Sequence, residues 1–188
     1  MSLQATTWQT VGPFFPIGLE HLNADRIAAK DQEGEHFEIT GRVLDGIGQP
    51  IPDAVIEIWQ ADATGEYRGV NRSSMNGHAP VFSGFGRIPT DDHGQFSFTT
   101  IRPGPVPGPQ GALQSPHLAV RLMMRGLLRG LVTRMYFPAT SLAADPVLQL
   151  VPEQRRATLI ASLDPDRDQT LIWNIEMQGE RETVFFDC

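Results

Sequence analysis

Several residue types that mark particular classes of protein are scarce in this sequence. Cysteine occurs once, at Cys188, so no disulfide bond can form within the chain, as is typical of a protein from a reducing compartment. Lys30 is the only lysine, and arginine supplies the rest of the 15 basic side chains. The 22 acidic side chains bring the net charge to −7, which argues against nucleic acid or an anionic membrane as the main partner.

Long hydrophobic runs are also absent. No stretch approaches the roughly 18 consecutive apolar residues that a membrane-spanning helix needs. The first residues are polar and lack the basic and apolar regions of a secretory signal, and we therefore expect a cytoplasmic protein. A length of 188 residues, of which 40% are hydrophobic and 20% charged, favours one globular unit with a substantial core.

The common catalytic and metal-binding motifs are missing as well. The chain has no Gly-rich phosphate loop and no CxxC, HExxH or GxSxG pattern. No two of its five histidines are spaced for joint metal binding. His117 opens a predicted strand after a Pro/Gly-rich loop, and on these grounds alone it is a weak ligand candidate. A stand-alone metalloenzyme that uses His78 or His93 with carboxylates is a minor alternative.

Short stretches of strand-like sequence, separated by turns rich in glycine and proline, make up most of the chain. In the first of them, apolar Phe37, Ile39 and Val43 alternate with polar residues, which is the period of a half-buried strand. Further strands are predicted at residues 54–59, 95–98, 117–124, 131–137 and 171–177. One short helix is expected from Pro152. The pattern predicts a mainly β fold, an antiparallel β-sandwich over residues 35–188.

Residues 1–34 have no regular strand pattern and are predicted to form an extended N-terminal arm. Two prolines and a glycine within Thr10–Pro16 argue against a regular helix there. The same stretch carries three large apolar side chains, Val11, Phe14 and Phe15, which must be covered in the folded protein. They pack either on the chain's own body or on a partner subunit, and the sequence leaves both possibilities open.

Several segments taken together resemble the intradiol ring-cleavage dioxygenases. They are Val55–Tyr67, Gly84–Arg87, Thr100–Pro105, Pro116–His117 and the closing residues 178–187. The closing segment, together with the Thr-x-Gly-Pro-aromatic stretch at Thr10–Phe14, resembles the alpha subunits of the two-subunit enzymes in this family. The similarity runs from Thr10 to Cys188 and implies the family's β-sandwich, with the N-terminal arm packing on a partner subunit.

In that family a ferric ion is bound by two tyrosines and two histidines of the beta subunit. The resemblance places Tyr67 and His117 at two of these positions, but Val106 and Ala119 at the other two. Valine and alanine have no donor atom, whereas Fe(III) requires hard anionic ligands. The resemblance therefore implies that this chain has no metal site, that the cofactor Fe(III) is bound by the partner beta subunit, and that Tyr67 and His117 are relict structure.

The activity implied by the resemblance is O2-dependent intradiol cleavage of 3,4-dihydroxybenzoate to 3-carboxy-cis,cis-muconate. A hetero-oligomer of αβ units would carry it out, with the alpha chain lining the substrate pocket. The arm supplies four candidate substrate-binding residues, Thr10, Gly12, Pro13 and Phe14, of which Phe14 stands where the family often has tyrosine. The alternative function is that of a metal-free, transthyretin-like β-sandwich binding module.

Arg125 is the other candidate substrate-binding residue. Met124-Arg125-Gly126 resembles an Ala-Arg-Gly segment whose arginine is associated with 3,4-dihydroxybenzoate in this family. A guanidinium suits a carboxylate because the two groups form bidentate hydrogen bonds. The alternatives are that Arg125 forms a structural salt bridge or fills the emptied metal site. Three nearby arginines are alternative candidates for the same role: Arg121, Arg129 and Arg134.

Overall fold

The computed structural model describes residues 6–68, 82–108, 111–138 and 140–187, so that His78 and Cys188 lie outside the described residues. Its strands, in chain order, are β1 (His36–Leu44), β2 (Val55–Trp59), β3 (Phe85–Pro89), β4 (Gln95–Ile101), β5 (Val106–Pro107), β6 (Leu113–Gln114), β7 (His117–Met123), β8 (Leu131–Tyr136), β9 (Ser162–Leu163), β10 (Thr170–Ile172) and β11 (Ile175–Glu176).

Two sheets face each other and enclose the core, which confirms the predicted β-sandwich. One sheet is antiparallel, in the order β3-β2-β7-β8. The other is built around β1, which pairs antiparallel with β4 and parallel with β10 and β11. Alternate side chains of both sheets point inward, as the period of two requires. The buried set includes Phe37, Ile39, Phe98 and Leu171 from one sheet and Ile56, Ile58, Leu118, Leu122 and Met135 from the other.

The C-terminal strand region differs from its prediction. Residues 171–177 form two short strands, β10 and β11, because the side chain of Asn174 interrupts the ladder by accepting a hydrogen bond from Arg42 N at 3.0 Å. Both strands run parallel to β1, so this sheet is mixed rather than purely antiparallel. Alternate side chains of this stretch still point into the core, since Leu171, Trp173 and Ile175 are buried and Met177 is partly buried.

The helical segments are short. The helix expected from Pro152 is present as a 3-10 helix over Glu153–Leu159, with Pro152 as its N-cap. In the arm, the prediction of no regular helix is wrong, because α1 spans Phe14–Gly18. Its prolines are tolerated because Pro13 is the N-cap and Pro16 lies in the first turn, where the backbone N–H has no helical acceptor. No helix in the described ranges has the length and apolar character needed to span a bilayer.

The arm covers the open edges of both sheets before it enters β1. Ala24 forms an antiparallel bridge with Arg87 of β3, and Arg26 forms a parallel bridge with Thr99 of β4. Ile27 then enters the core between the sheets. The earlier part of the arm is different, since none of the residues of α1 is buried. The later arm therefore packs on the chain's own body, whereas the earlier arm presents apolar side chains at the surface.

Candidate functional sites at the two ends of strand β7

A tight loop after β2 positions Tyr67. The Asp62 carboxylate accepts hydrogen bonds from Thr64 N at 2.9 Å, Thr64 Oγ1 at 2.6 Å, Glu66 N at 3.1 Å and Arg68 Nε at 2.5 Å. Burial raises the pKa of Asp62, but the hydrogen bonds from Thr64, Arg68 and Glu66 outweigh burial and lower this pKa to about 2. Asp62 is therefore ionised at neutral pH and fixes the loop that carries Tyr67.

This loop packs against the Pro/Gly-rich segment that precedes β5. Gly65 has φ +87°, and a Cβ atom there would lie 2.3 Å from the Pro105 carbonyl oxygen, so only glycine fits. Gly104 N donates to the Asp62 carbonyl oxygen at 2.8 Å. The contact between the two segments holds the Tyr67 loop beside the chain that leads into Val106, which is buried.

The strand register brings His117 and Ala119 to the end of the antiparallel sheet that also carries the Tyr67 loop. His117 pairs with Tyr136 of β8, and Ala119 lies between Arg134 of β8 and Trp59 of β2. Residues directly opposite one another in a sheet have their side chains on the same face. The Tyr67 ring stacks on Trp59, with 6.2 Å between ring centroids and 2° between planes. Tyr67, His117 and Ala119 therefore converge, as the resemblance implies.

Arg134 lies among these residues. Its Nη1 donates to Gln114 Oε1 at 2.6 Å. Burial raises the pKa of Tyr67, and the positive charge of Arg134 opposes that rise. Burial lowers the pKa of His117, and the same guanidinium lowers it further, so the imidazole is neutral at neutral pH. Burial is thus the main cause of these pKa shifts, and the Arg134 guanidinium is the charged group that acts on both side chains.

A buried carboxylate completes the arrangement. Asp145 is fully buried and accepts hydrogen bonds from Ser115 N at 2.7 Å, Tyr136 Oη at 3.0 Å, Val147 N at 3.0 Å and Leu148 N at 2.7 Å. His117 Nδ1 donates to the Ser115 carbonyl oxygen at 2.8 Å. Burial, with the adjacent Asp145 charge, raises the pKa of Tyr136 well above its ordinary value. Tyr136 belongs to the core.

The side chains present at this end do not fit a ferric ion. Tyr67 and His117 offer one phenol and one imidazole, while Val106 and Ala119 offer no donor atom. Within the described ranges, no group of three or more histidine, cysteine, aspartate or glutamate side chains is placed to hold a metal. His93, the other histidine considered as a ligand, lies exposed in the turn before β4. His117, Tyr136 and Asp145 form hydrogen bonds within the chain, whereas Tyr67 is about half exposed.

The opposite end of β7 brings together the arm and Arg125. Gly126 N donates to Thr10 Oγ1 at 2.9 Å, and Thr10 Oγ1 donates to the Met124 carbonyl oxygen at 3.5 Å. The Arg129 guanidinium lies over the Trp8 ring, 4.4 Å from its centroid. The arm is thereby docked on the turn between β7 and β8, and Thr10 lies next to Arg125.

The surroundings of Arg125 exclude one of the alternative roles considered for it, that of filling the emptied metal site. Its Nε forms an ion pair with Asp53, so it makes a structural salt bridge. It does not fill the emptied metal site, because His117 and Arg125 flank opposite ends of β7. The Arg125 side chain is 58% exposed, and Gly12, Pro13 and Phe14 are exposed beside the docked Thr10. The five candidate substrate-binding residues thus lie around one exposed region.

Asp145 and Trp59, at the other end of the sheet, were not predicted as site residues, and Arg134 was predicted only as an alternative to Arg125. Only the position of Arg134 could have been predicted. If β7 and β8 are taken as an antiparallel hairpin, pairing their residues outward from the connecting turn places Arg134 opposite Ala119. A surface groove of about 930 Å³ lies elsewhere, beside β1, β3 and β4. It contains none of the predicted site residues.

Comparison with known proteins gives consistent matches. The family model described as "Dioxygenase" matches residues 11–179. The chain is similar to the protocatechuate 3,4-dioxygenase alpha chain of Burkholderia cepacia, with 40% identity over 99% of this chain and 98% of that one. It is 38% identical to the alpha chain of Pseudomonas putida over 98% of this chain and 97% of that one. The Burkholderia cepacia beta chain is 36% identical over 79% of this chain and 65% of its own length.

Solved structures agree on the fold. The hydroxyquinol 1,2-dioxygenase of Pseudomonas putida DLL-E4 superposes with a TM-score of 0.61, at 23% identity, over 80% of this chain and 58% of that one. The 3-chlorocatechol 1,2-dioxygenase of Rhodococcus opacus 1CP gives a TM-score of 0.58, at 25% identity, over 79% of this chain and 62% of that one.

Proposed function

The chain belongs to the dioxygenase family, and we propose that it is the alpha subunit of an αβ enzyme that cleaves 3,4-dihydroxybenzoate (protocatechuate) with O2. The reaction is intradiol ring opening, and its product is 3-carboxy-cis,cis-muconate. The observation that carries the proposal is the similarity to two alpha chains, at 40% and 38% identity, over nearly the whole length of each.

In this proposal the two subunits have different tasks. The partner beta subunit holds the ferric iron and the groups that transfer protons. This chain supplies part of the pocket wall and a positive side chain for the substrate carboxylate. The absence of donor atoms at Val106 and Ala119 supports this division, because the remaining phenol and imidazole are too few to hold Fe(III).

The surface of the early arm supports assembly with a partner. Phe14 is 78% exposed, and Trp8 and Ile17 are each 64% exposed. Large apolar side chains grouped on one segment mark an interaction surface. We propose that the chain consists of an arm, residues 1–34, and a β-sandwich, residues 35–188. The part of the arm that precedes Ala24 is the proposed contact with the beta subunit. A cytoplasmic enzyme of aromatic catabolism is the setting that this assignment implies.

Arg125 is the proposed ligand of the substrate carboxylate. The chain carries a net charge of −7, so an anionic substrate needs a local positive group. Asp53 engages the Nε of Arg125, and among the described residues the terminal nitrogens form no further ion pair. The guanidinium is therefore oriented by Asp53 while its outer edge faces solvent, beside Thr10, Gly12, Pro13 and Phe14.

The test is reconstitution. This chain and a beta chain from the same organism are expressed separately and together, and O2 uptake is measured with 3,4-dihydroxybenzoate. We expect this chain alone to contain no stoichiometric iron and to be inactive, and the co-expressed pair to co-purify and consume O2 in equimolar amount with substrate. A chain that stays monomeric beside the beta chain and leaves its activity unchanged would refute the proposal and favour the binding-module alternative.

A further inference from the structure

We infer that the Arg134 guanidinium has taken the place of a metal ion at the His117 end of the sheet, and that this internal cation, in addition to the two lost donors, keeps iron out of this chain. The inference extends the family assignment and does not depend on the substrate. It also accounts for why a phenol and an imidazole persist where no metal can be held.

The strand register places Arg134 at the critical position. Ala119, which stands where the family has its second histidine ligand, lies directly opposite Arg134. Opposite residues in an antiparallel pair have Cβ atoms about 4.5–5.5 Å apart, on the same face. The alanine side chain ends at Cβ, whereas an imidazole at residue 119 would extend from the same face, next to the arginine side chain.

The charge of Arg134 reaches the remaining ligand positions. The guanidinium acts electrostatically on Tyr67, on His117 and on Tyr136. These three aromatic groups belong to a loop and to two strands, so Arg134 lies where side chains from separate elements converge. A cation already at such a point repels a second cation.

The guanidinium is also held by a hydrogen bond of its own. Arg134 donates to Gln114 Oε1 at 2.6 Å. Burial raises the pKa of Tyr136, and the nearby guanidinium opposes that rise, while the Tyr136 hydroxyl donates to the buried Asp145 at 3.0 Å. The cation is therefore fixed by a neutral acceptor and lies in the neighbourhood of a buried anion, which compensates a partly buried charge.

The experiment restores the lost donors with and without Arg134. The variants V106Y/A119H and V106Y/A119H/R134Q are prepared in the αβ assembly, and iron per αβ unit is measured by elemental analysis, with the visible charge-transfer absorbance of iron-bound tyrosinate as a second readout. We expect no additional iron in the double variant and roughly one additional iron per αβ unit in the triple variant. V106Y/A119H/R121Q is the matched control, because Arg121 lies on the same sheet face, and it should behave as the double variant.

Two outcomes would overturn the inference. One is equal iron uptake by the double and triple variants. The other is no uptake by a triple variant that assembles and has the circular dichroism spectrum of the unmodified enzyme.

A second measurement applies even if the multiple variants do not fold. R134A leaves a space shaped for a guanidinium, so low millimolar guanidinium should raise its melting temperature but should not raise that of the unmodified chain or of R121A. A melting temperature for R134A that equals that of the unmodified chain and does not respond to guanidinium would also overturn the inference.

Discussion

The two ends of strand β7 have opposite characters. At one end His117 is 5% exposed, and the polar groups around it are paired with one another inside the chain. At the other end Arg125 and Phe14 are largely exposed, next to the docked Thr10. The first end resembles a protein core that contains polar groups, and the second resembles an incomplete binding surface.

This difference separates two kinds of contribution that a subunit can make. A buried network whose partners all belong to one chain contributes to the stability of that chain. An exposed cluster contributes little to stability but is available to a partner or a ligand. Changes at the His117 end should therefore alter unfolding, and changes at the Arg125 end should alter assembly and substrate binding.

The largest expected effect is on assembly. Deletion of residues 1–16 removes the exposed apolar side chains of the early arm, and we expect affinity for the beta subunit to fall by about 100-fold or more, with a parallel loss of turnover. Sedimentation and O2 uptake measure the two effects. L150A is the control, because Leu150 is 81% exposed but lies far from the arm in sequence. Unchanged assembly of the truncated chain would remove the arm from the interface.

The next effect is on stability. D145A removes the acceptor of the Tyr136 hydroxyl and of the Val147 and Leu148 N–H groups. Because unpaired buried donors cost about 1–3 kcal/mol each, we expect a loss of about 3–5 kcal/mol in unfolding free energy, measured by denaturant titration. D91A is the control, since Asp91 accepts two backbone hydrogen bonds in an exposed turn. Equal losses in the two variants would contradict a special role for the buried network.

A smaller effect is expected on substrate binding. R125A removes the proposed carboxylate ligand, worth roughly 1.5–3 kcal/mol, so the KM for 3,4-dihydroxybenzoate should rise by about 10- to 150-fold. The KM for catechol, which lacks the carboxylate, should hardly change. R121A, which removes an exposed arginine of β7, serves as the control. If R125A impairs both substrates equally, or if R121A reproduces its effect, Arg125 is not the ligand of the carboxylate.

The smallest effect is on pH dependence. Burial, and to a lesser extent the charge of Arg134, lower the pKa of His117 in the folded chain. As the pH falls, His117 is therefore protonated in the unfolded chain at a higher pH than in the folded chain. The stability that depends on neutral His117 is therefore present above about pH 6.5, the ordinary histidine pKa, and is lost progressively below it. Unfolding free energies at pH 7.5 and pH 5 should differ less in H117Q than in the unmodified chain. The prediction fails if the difference in H117Q equals that in the unmodified chain.

The sequence was sufficient for the sandwich and for most of its long strands, because β1, β2, β7 and β8 have clear apolar patterns. It did not reveal β3, whose Phe-Gly-Arg-Ile-Pro sequence contains two residues that disfavour strands. Pro89 is tolerated there because β3 is an edge strand.

The candidate sites were predictable to different extents. The resemblance located Arg125, the arm and the two lost donors. The position of Arg134 opposite Ala119 depends on the β7–β8 register, and a slip of one residue would turn Arg134 to the other face of the sheet. The acceptor network of Asp145 depends on contacts between segments that lie far apart in sequence, so no local pattern announces it.

Because the arm is attached to the sandwich at two points, less conformational entropy is lost when it binds a partner subunit. Thr10 is tied to the β7–β8 turn and Ala24 to β3, so the intervening residues form a closed loop with α1 within it. A tail anchored at one end would lose most of its conformational freedom on meeting a partner, whereas a loop fixed at both ends has already lost much of it during folding. The subunit therefore presents α1 in a nearly fixed position, and the entropic cost of association is smaller than the arm's irregular sequence suggests.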